Sequence, residues 1–224
     1  LSTNPTQVDF TEAQCNTTSA VGLYQHLGAV HNGDYWTVDG QFTNDNGGHN
    51  VTGGDPSSTF QSTASIDLTP MVHTGTAYLP RTRTRIALPR EGDVVISPSA
   101  RLLVSRVSAG SGQSLFLMRK VVATPNGTGG YDVTVPEIAR YCVRGAKPAL
   151  SFDERWMVWH HYVEANDWQT LGYASATDPS FVALRASGAA NVFLMEIATG
   201  TIRRITTMAP GQYALYPHFR SDGW

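Results

Sequence analysis

The groups in this chain that could do acid–base or metal chemistry are seven histidines and eighteen carboxylates, and few of them are grouped. The tightest pairing is His160-His161, inside the stretch 148–163 that reads Pro-Ala-Leu-Ser-Phe-Asp-Glu-Arg-Trp-Met-Val-Trp-His-His-Tyr-Val. Neighbours on a strand point to opposite faces, so these two imidazoles do not readily share one metal. One is expected to pack under the sheet, and the other to reach solvent, a backbone carbonyl or a pocket. A metal centre would have to combine His161 with His218 and a loop carboxylate such as Asp178, holding a transition metal. The run 43–58 (Thr-Asn-Asp-Asn-Gly-Gly-His-Asn-Val-Thr-Gly-Gly-Asp-Pro-Ser-Ser) carries oxygens suited to calcium. Its spacing fits no EF-hand loop, however, and it reads as a long surface loop. Beyond such an ion no cofactor is expected.

Other chemistries lack their residues. There is no Cys-x-x-Cys-His for covalent haem and no Gly-x-Ser-x-Gly nucleophile elbow. A His-Glu-x-x-His pair, a Gly-rich phosphate loop and a dinucleotide fingerprint are also missing. Two cysteines far apart cannot make a structural zinc site by themselves.

Whatever site exists must be positioned by short strands. The 148–163 stretch reads as a strand to Ser151, a turn at Asp153-Glu154-Arg155, and a second strand rich in Trp, Val and Tyr. The phrase returns at 217–224 as Pro-His-Phe-Arg-Ser-Asp-Gly-Trp, and more weakly from Val94 through Ser97-Pro98-Ser99-Ala100-Arg101. Aligned starts at 94, 148 and 217 are 54 and then 69 residues apart. Strands are also expected at 191–197 and 201–206, joined by Ala198-Thr199-Gly200, with 114–121 as their counterpart in the preceding unit. Upstream, 20–24, 35–38 and 65–88 read as strands. Arg81, Arg83 and Arg85 alternate with threonines, which would set three guanidinium groups on one solvated strand face.

Four antiparallel strands recurring at roughly 40–50 residues is the sequence form of a propeller blade. Residues 94–224 resemble the TolB-type, WD-like β-propeller repeat. Its blades carry Pro-x-x-Ser-Pro-Asp-Gly-(Lys/Arg)-Trp, then an apolar strand and a closing Arg-Arg-Ile-Thr strand. Phe152 stands for the usual Pro, Glu154 for the usual Gly, and Ser99-Ala100 for the usual Asp-Gly. The resemblance implies an all-β fold of four-stranded antiparallel blades. The expected organisation is an extended arm at 1–18 and a propeller over 19–224, with clear blades at 94–136 and 148–206 and a partial blade from 217. It further implies that Asp153 and Asp222 hold turns, and that Trp156 lies in the core between blades. Trp159, an odd number of residues away, would face the other side near an edge. Trp224 falls where a second strand should begin, so N-terminal strands, a longer chain or a second chain would have to cover that edge.

In an up-and-down blade successive connections alternate between the two ends of the sheet. The turns at 153–155 and 199–200 therefore share one end, and the connections 164–190 and 207–216 share the other. These long connections carry Trp168, Tyr173, Asp178, Tyr213 and Tyr216, with His218 just beyond. Those six are the candidate ligand-binding residues.

Net charge −2 and the lack of a basic run argue against nucleic acid and anionic membrane as partners, and no apolar stretch has the length of a membrane span. The chain begins at Leu1 without Met, which a removed signal peptide would explain; a secreted or periplasmic protein is expected. In an oxidising compartment Cys15 and Cys142 would pair; otherwise they are two ordinary buried thiols. The function expected is an exported binding or scaffolding module, not an enzyme, offering one loop face to a protein or glycan. The alternative is a propeller-mouth carbohydrate lyase or hydrolase with a His-based metal site.

Overall fold

The computed structural model describes residues 25–31, 33–42, 64–87, 91–110 and 113–220. The expected arm at 1–18, the expected strand at 20–24, the run 43–58, Cys15, Asp222 and Trp224 lie outside the described residues. Within them the chain is all-β, made of antiparallel sheets with one short helix. No helix among the described residues is long and apolar enough to cross a membrane.

The first sheet comprises β1 (Gln25–His31), β2 (Asp34–Phe42), β3 (Ala64–His73), β4 (Tyr78–Pro80) and β5 (Thr84–Ala87). Both β4 and β5 pair with β3, at different ends of it. The second sheet runs β6 (Glu91–Ile96), β7 (Leu102–Gly110), β8 (Gln113–Lys120), and closes with β11 (Glu137–Tyr141) on β8. Between β8 and β11 the chain leaves to form a separate hairpin, β9 (Val122–Pro125) with β10 (Tyr131–Thr134). The third sheet is β12 (Ala146–Leu150), β13 (Trp156–Tyr162), β14 (Ala190–Glu196) and β15 (Ile202–Arg204), in that order. Helix α1 (Pro179–Ser187) sits in the β13–β14 connection.

The two four-stranded sheets therefore span 91–141 and 146–204, against the expected 94–136 and 148–206. The hairpin explains the first difference, because it occupies the place where a closing strand was expected and pushes that strand to 137–141. Residues 217–220 form no strand. The arginine stripe is also broken. Residues 81–83 lie between β4 and β5 outside any strand, so Arg81 and Arg83 do not share a strand face with Arg85.

The sheets stack through alternating side chains. In the middle sheet Leu103 joins Trp36, Val38, Leu68, Val94, Ile96 and Val121 in a core against the first sheet. Its neighbour Val104 points the other way, into a core with Phe116, Met118, Met157, Trp159, Phe193 and Met195 against the third sheet. A strand covered on both faces has no polar side to show, which is why β8 reads as the nearly unbroken run Leu-Phe-Leu-Met. Each fully buried Phe or Met contributes roughly 1.5–3 kcal/mol.

One turn geometry is built twice. Between β6 and β7 the Ser97 hydroxyl accepts from Leu102 N at 3.0 Å, and Ser97 N donates to Leu102 O at 2.8 Å. Between β12 and β13 Ser151 makes the same pair with Trp156, at 2.9 and 3.0 Å. Asp153 holds the second turn as expected, accepting from the Ser151 hydroxyl at 2.6 Å and Arg155 N at 3.1 Å. Those bonds hold its carboxyl below the usual value. Ala100 and Glu154 occupy the left-handed position of the two turns, with φ 58 and 57, where the resembled signature has glycine.

The tryptophans exchange their expected roles. Trp159 is buried between the second and third sheets, edge-on to Phe116 and stacked on Phe193. Trp156 is half-buried, with the Arg155 and Arg203 guanidinium carbons 5.8 and 5.9 Å from its ring centre.

Candidate functional site

The strand order puts the turns at 153–155 and 199–200 at one end of the third sheet, and the 163–189 and 205–216 connections at the other. The structure joins these connections directly. Gly211 N donates to Gly188 O at 2.7 Å, Ala190 N to Gln212 O at 3.2 Å, and Ala214 N to Ala190 O at 3.0 Å. The Tyr213 hydroxyl adds a bond to Ser187 O at 3.3 Å. A Cβ on Gly188 would lie 2.1 Å from that hydroxyl, so a glycine is needed for the approach.

Three of the six predicted ligand residues build the loop. Asp178 is the N-cap of α1, accepting from Ser180 N at 2.9 Å and Phe181 N at 3.4 Å, just before Pro179. The Tyr173 ring packs 5.3 Å from the buried Phe181, and Tyr173 N donates to the carbonyl of the half-buried Trp168. The other three, Tyr213, Tyr216 and His218, are exposed. Tyr162, which the sequence reading passed over, joins them. Tyr162, Tyr213 and Tyr216 are 48%, 48% and 60% exposed, and the rings of Tyr162 and Tyr213 are 6.0 Å apart. Burial pushes the Tyr162 phenol above its ordinary value, and the Tyr216 and Tyr213 phenols add to the effect. Strand alternation gave the clue, since Tyr162 lies two residues from His160 on the same face.

The two histidines do face opposite ways. His160 is buried, its Nδ1 accepting from Tyr216 N at 3.3 Å and its ring tilted against Tyr216 at 5.6 Å. His161 lies across from Asn191 on β14, its Nε2 2.8 Å from Asp167 Oδ2. Burial works to raise the Asp167 pKa, but the hydrogen bonds from His161 and Glu164 N, with the charges of His161 and Arg144, outweigh it and hold the carboxyl below its ordinary value. An ionised carboxylate only accepts, so Nε2 carries the proton of this bond, and in the neutral imidazole Nδ1 is then the acceptor nitrogen. Nothing in the sequence announces this pair beyond an Asp placed in a turn six residues on.

His161 and Asp167 border a cleft of about 280 Å³ on the third sheet, beside the 143–144 link and the 163–189 connection. Its apolar wall is Val143, Trp159, Phe193 and Ile202, and its polar rim adds Arg144, Asn166 and Thr170. Arg144 is itself paired, Nη1 to Glu164 Oε2 at 2.6 Å, and its carbonyl accepts from Trp159 Nε1 at 2.9 Å.

The candidate metal ligands His161, His218 and Asp178 are not brought together among the described residues. His161 is engaged with Asp167, Asp178 caps a helix, and no three His, Cys, Asp or Glu side chains converge on a metal position among the described residues. Cys142 is exposed rather than buried, and its proposed partner Cys15 is outside the described residues.

No protein-family model matches the chain, and no curated protein matches it. Among solved structures the chain is similar to an acylaminoacyl peptidase from Pyrococcus horikoshii, with a TM-score of 0.43 and 6% identity. The match covers 84% of this chain and 25% of that one, so the chain spans about a quarter of that protein's length.

Proposed function

We propose that the stacked sheets are blades of a TolB-like β-propeller, and that the protein is an exported, non-enzymatic module holding a protein or glycan partner against its 163–189 and 205–216 loops. The observation that carries this reading is the backbone weld between 188–190 and 211–214. It braces two long loops at one sheet end and leaves Tyr162, Tyr213 and Tyr216 half out of water. Aromatic rings on a braced backbone bury much apolar area and lose little freedom on binding, which favours affinity. The blade reading draws on the twice-built serine turn and on sheets that bury alternate side chains against both neighbours. Further strands, from this chain or a second one, would cover the β15 edge. An oxidising compartment would let the exposed Cys142 thiol pair with Cys15.

The test is binding of the 224-residue chain to a printed glycan array and to a panel of purified extracellular proteins, repeated with Tyr213→Ala and Tyr216→Ala. A specific ligand whose affinity falls about tenfold or more in either variant is the expected result. A turnover activity abolished by His161→Ala and His218→Ala, with folding intact, would overturn the reading in favour of an enzyme.

A further inference from the structure

The cleft beside His161 has a composition that points to one kind of ligand. Its charged groups are already engaged inside the protein, Arg144 by Glu164 and the Asp167 carboxylate by hydrogen bonds from His161 Nε2 and Glu164 N. A charged ligand would be desolvated there without gaining an unmatched counter-charge, so a neutral one is favoured. One wall is apolar, formed by Trp159, Phe193, Val143 and Ile202. The lining also carries short-range hydrogen-bonding groups, Asn166, Thr170 and the His161 imidazole. The His161 side chain is 12% exposed, and its Nδ1 has no hydrogen-bond partner among the described residues. Such a nitrogen asks for a hydroxyl or N–H donor.

A neutral molecule with one apolar face and an edge of hydroxyl groups is a pyranose ring. A volume of about 280 Å³ is at the small end of ligand sites, room for one such ring rather than a long chain. We propose that this cleft is a subsite for a single neutral pyranose, laid against the apolar lining of Val143, Phe193 and Ile202 with one hydroxyl donating to His161 Nδ1. Asp167 acts as a positioning residue: by holding the Nε2 proton it leaves Nδ1 as the acceptor of the neutral imidazole. The site lies on the face of β13 opposite Tyr162 and shares no side chain with the exposed tyrosines, so its success or failure is independent of the loop-face reading.

The experiment is calorimetric titration and saturation-transfer NMR of the chain with methyl pyranosides of neutral hexoses, with methyl glucuronide and methyl glucosaminide as charged comparators. A neutral pyranoside is expected to bind with Kd on the order of 1 mM, and both charged sugars more weakly. Asn166→Ala and His161→Gln should each weaken it about tenfold, and Thr124→Ala, exposed on β9, should not. Asn166 is exposed, so its truncation tests the site even if His161→Gln fails to fold. Absence of binding by every neutral pyranoside, binding unchanged in Asn166→Ala, or preference for a charged sugar would each overturn the proposal.

Discussion

Glu154 reaches back from the β12–β13 turn to Arg101 in the preceding β6–β7 turn, with Oε2 2.7 Å from Nη2. It does so from a backbone at φ 57, and its carboxylate also accepts from the Ser99 hydroxyl. The residue that replaces the glycine of the resembled signature thus ties two successive turns together. Its side chain is only 9% exposed while that of Arg101 is 64% exposed, so the carboxylate is the sheltered half of the pair.

That arrangement separates strain from contact. Glu154→Ala loses the clamp and keeps a β-carbon at positive φ, whereas Glu154→Gly loses the clamp and relaxes the backbone. Urea denaturation should show the glycine variant more stable than the alanine variant by about 1 kcal/mol. Arg101→Ala, removing a mostly exposed partner, should cost less than about 1 kcal/mol. Equal stability of the Ala and Gly variants would show that the turn carries no strain at Glu154.

Gly145, just before β12, leaves no room for a side chain. At φ +150, a Cβ there would lie 2.1 Å from Trp159 Cδ1 and 2.7 Å from the His160 carbonyl oxygen. Gly145→Ala must therefore displace the indole that fills the inter-sheet core, and should cost about 3 kcal/mol or more in chemical denaturation. A loss below about 1 kcal/mol would mean that residues 142–145 swing away from Trp159 without resistance.

Tyr131 gives the fold an alkaline limit. Burial, reinforced by its hydrogen bond to the Asp34 carboxylate and the charge of that group, pushes its phenol up to about 12 from an ordinary 10.0. The folded state holds this proton more tightly than the unfolded chain does. Its contribution is thus fully present below pH 10 and is lost as pH rises toward about 12. Stability measured across that window should fall in the wild type and fall less in Tyr131→Phe. Identical slopes would show that the Asp34–Tyr131 bond does not couple to folding.

The parts of the fold legible in the sequence were those fixed by local chemistry. Ser151, Asp153 and the β-branched and aromatic run after them specify a turn and a strand from neighbours alone, and the structure has both. The end at which the long connections gather followed from strand order. What failed needed knowledge of which face would be covered. Trp156 and Trp159 were set on opposite faces correctly, but spacing does not say which face meets the next sheet. Helix α1 did have a signal, Asp178 before Pro179, yet only Phe181 and Leu184 mark its buried side, too short a stripe to stand out. Asp178 as a loop carboxylate and Asp178 as a helix cap likewise look alike until the helix is known. The His161–Asp167 pair depends on how the 163–171 loop folds over β13, which no residue type announces.

The β9–β10 hairpin starts and ends in the second sheet, yet Ala123, Tyr131 and Val133 are packed against the core shared with Trp36 and Leu68 of the first. The ring of Tyr131 is 5.2 Å from that of Trp36. The hairpin is therefore a strap, rooted in one sheet and seated on another. Separating the first two sheets means lifting it, and lifting it strips β11 from β8 at its root. Amide protons in β2 and in β8 should accordingly exchange through one shared opening, making the first two sheets a single cooperative unit to which the third sheet is attached along one face.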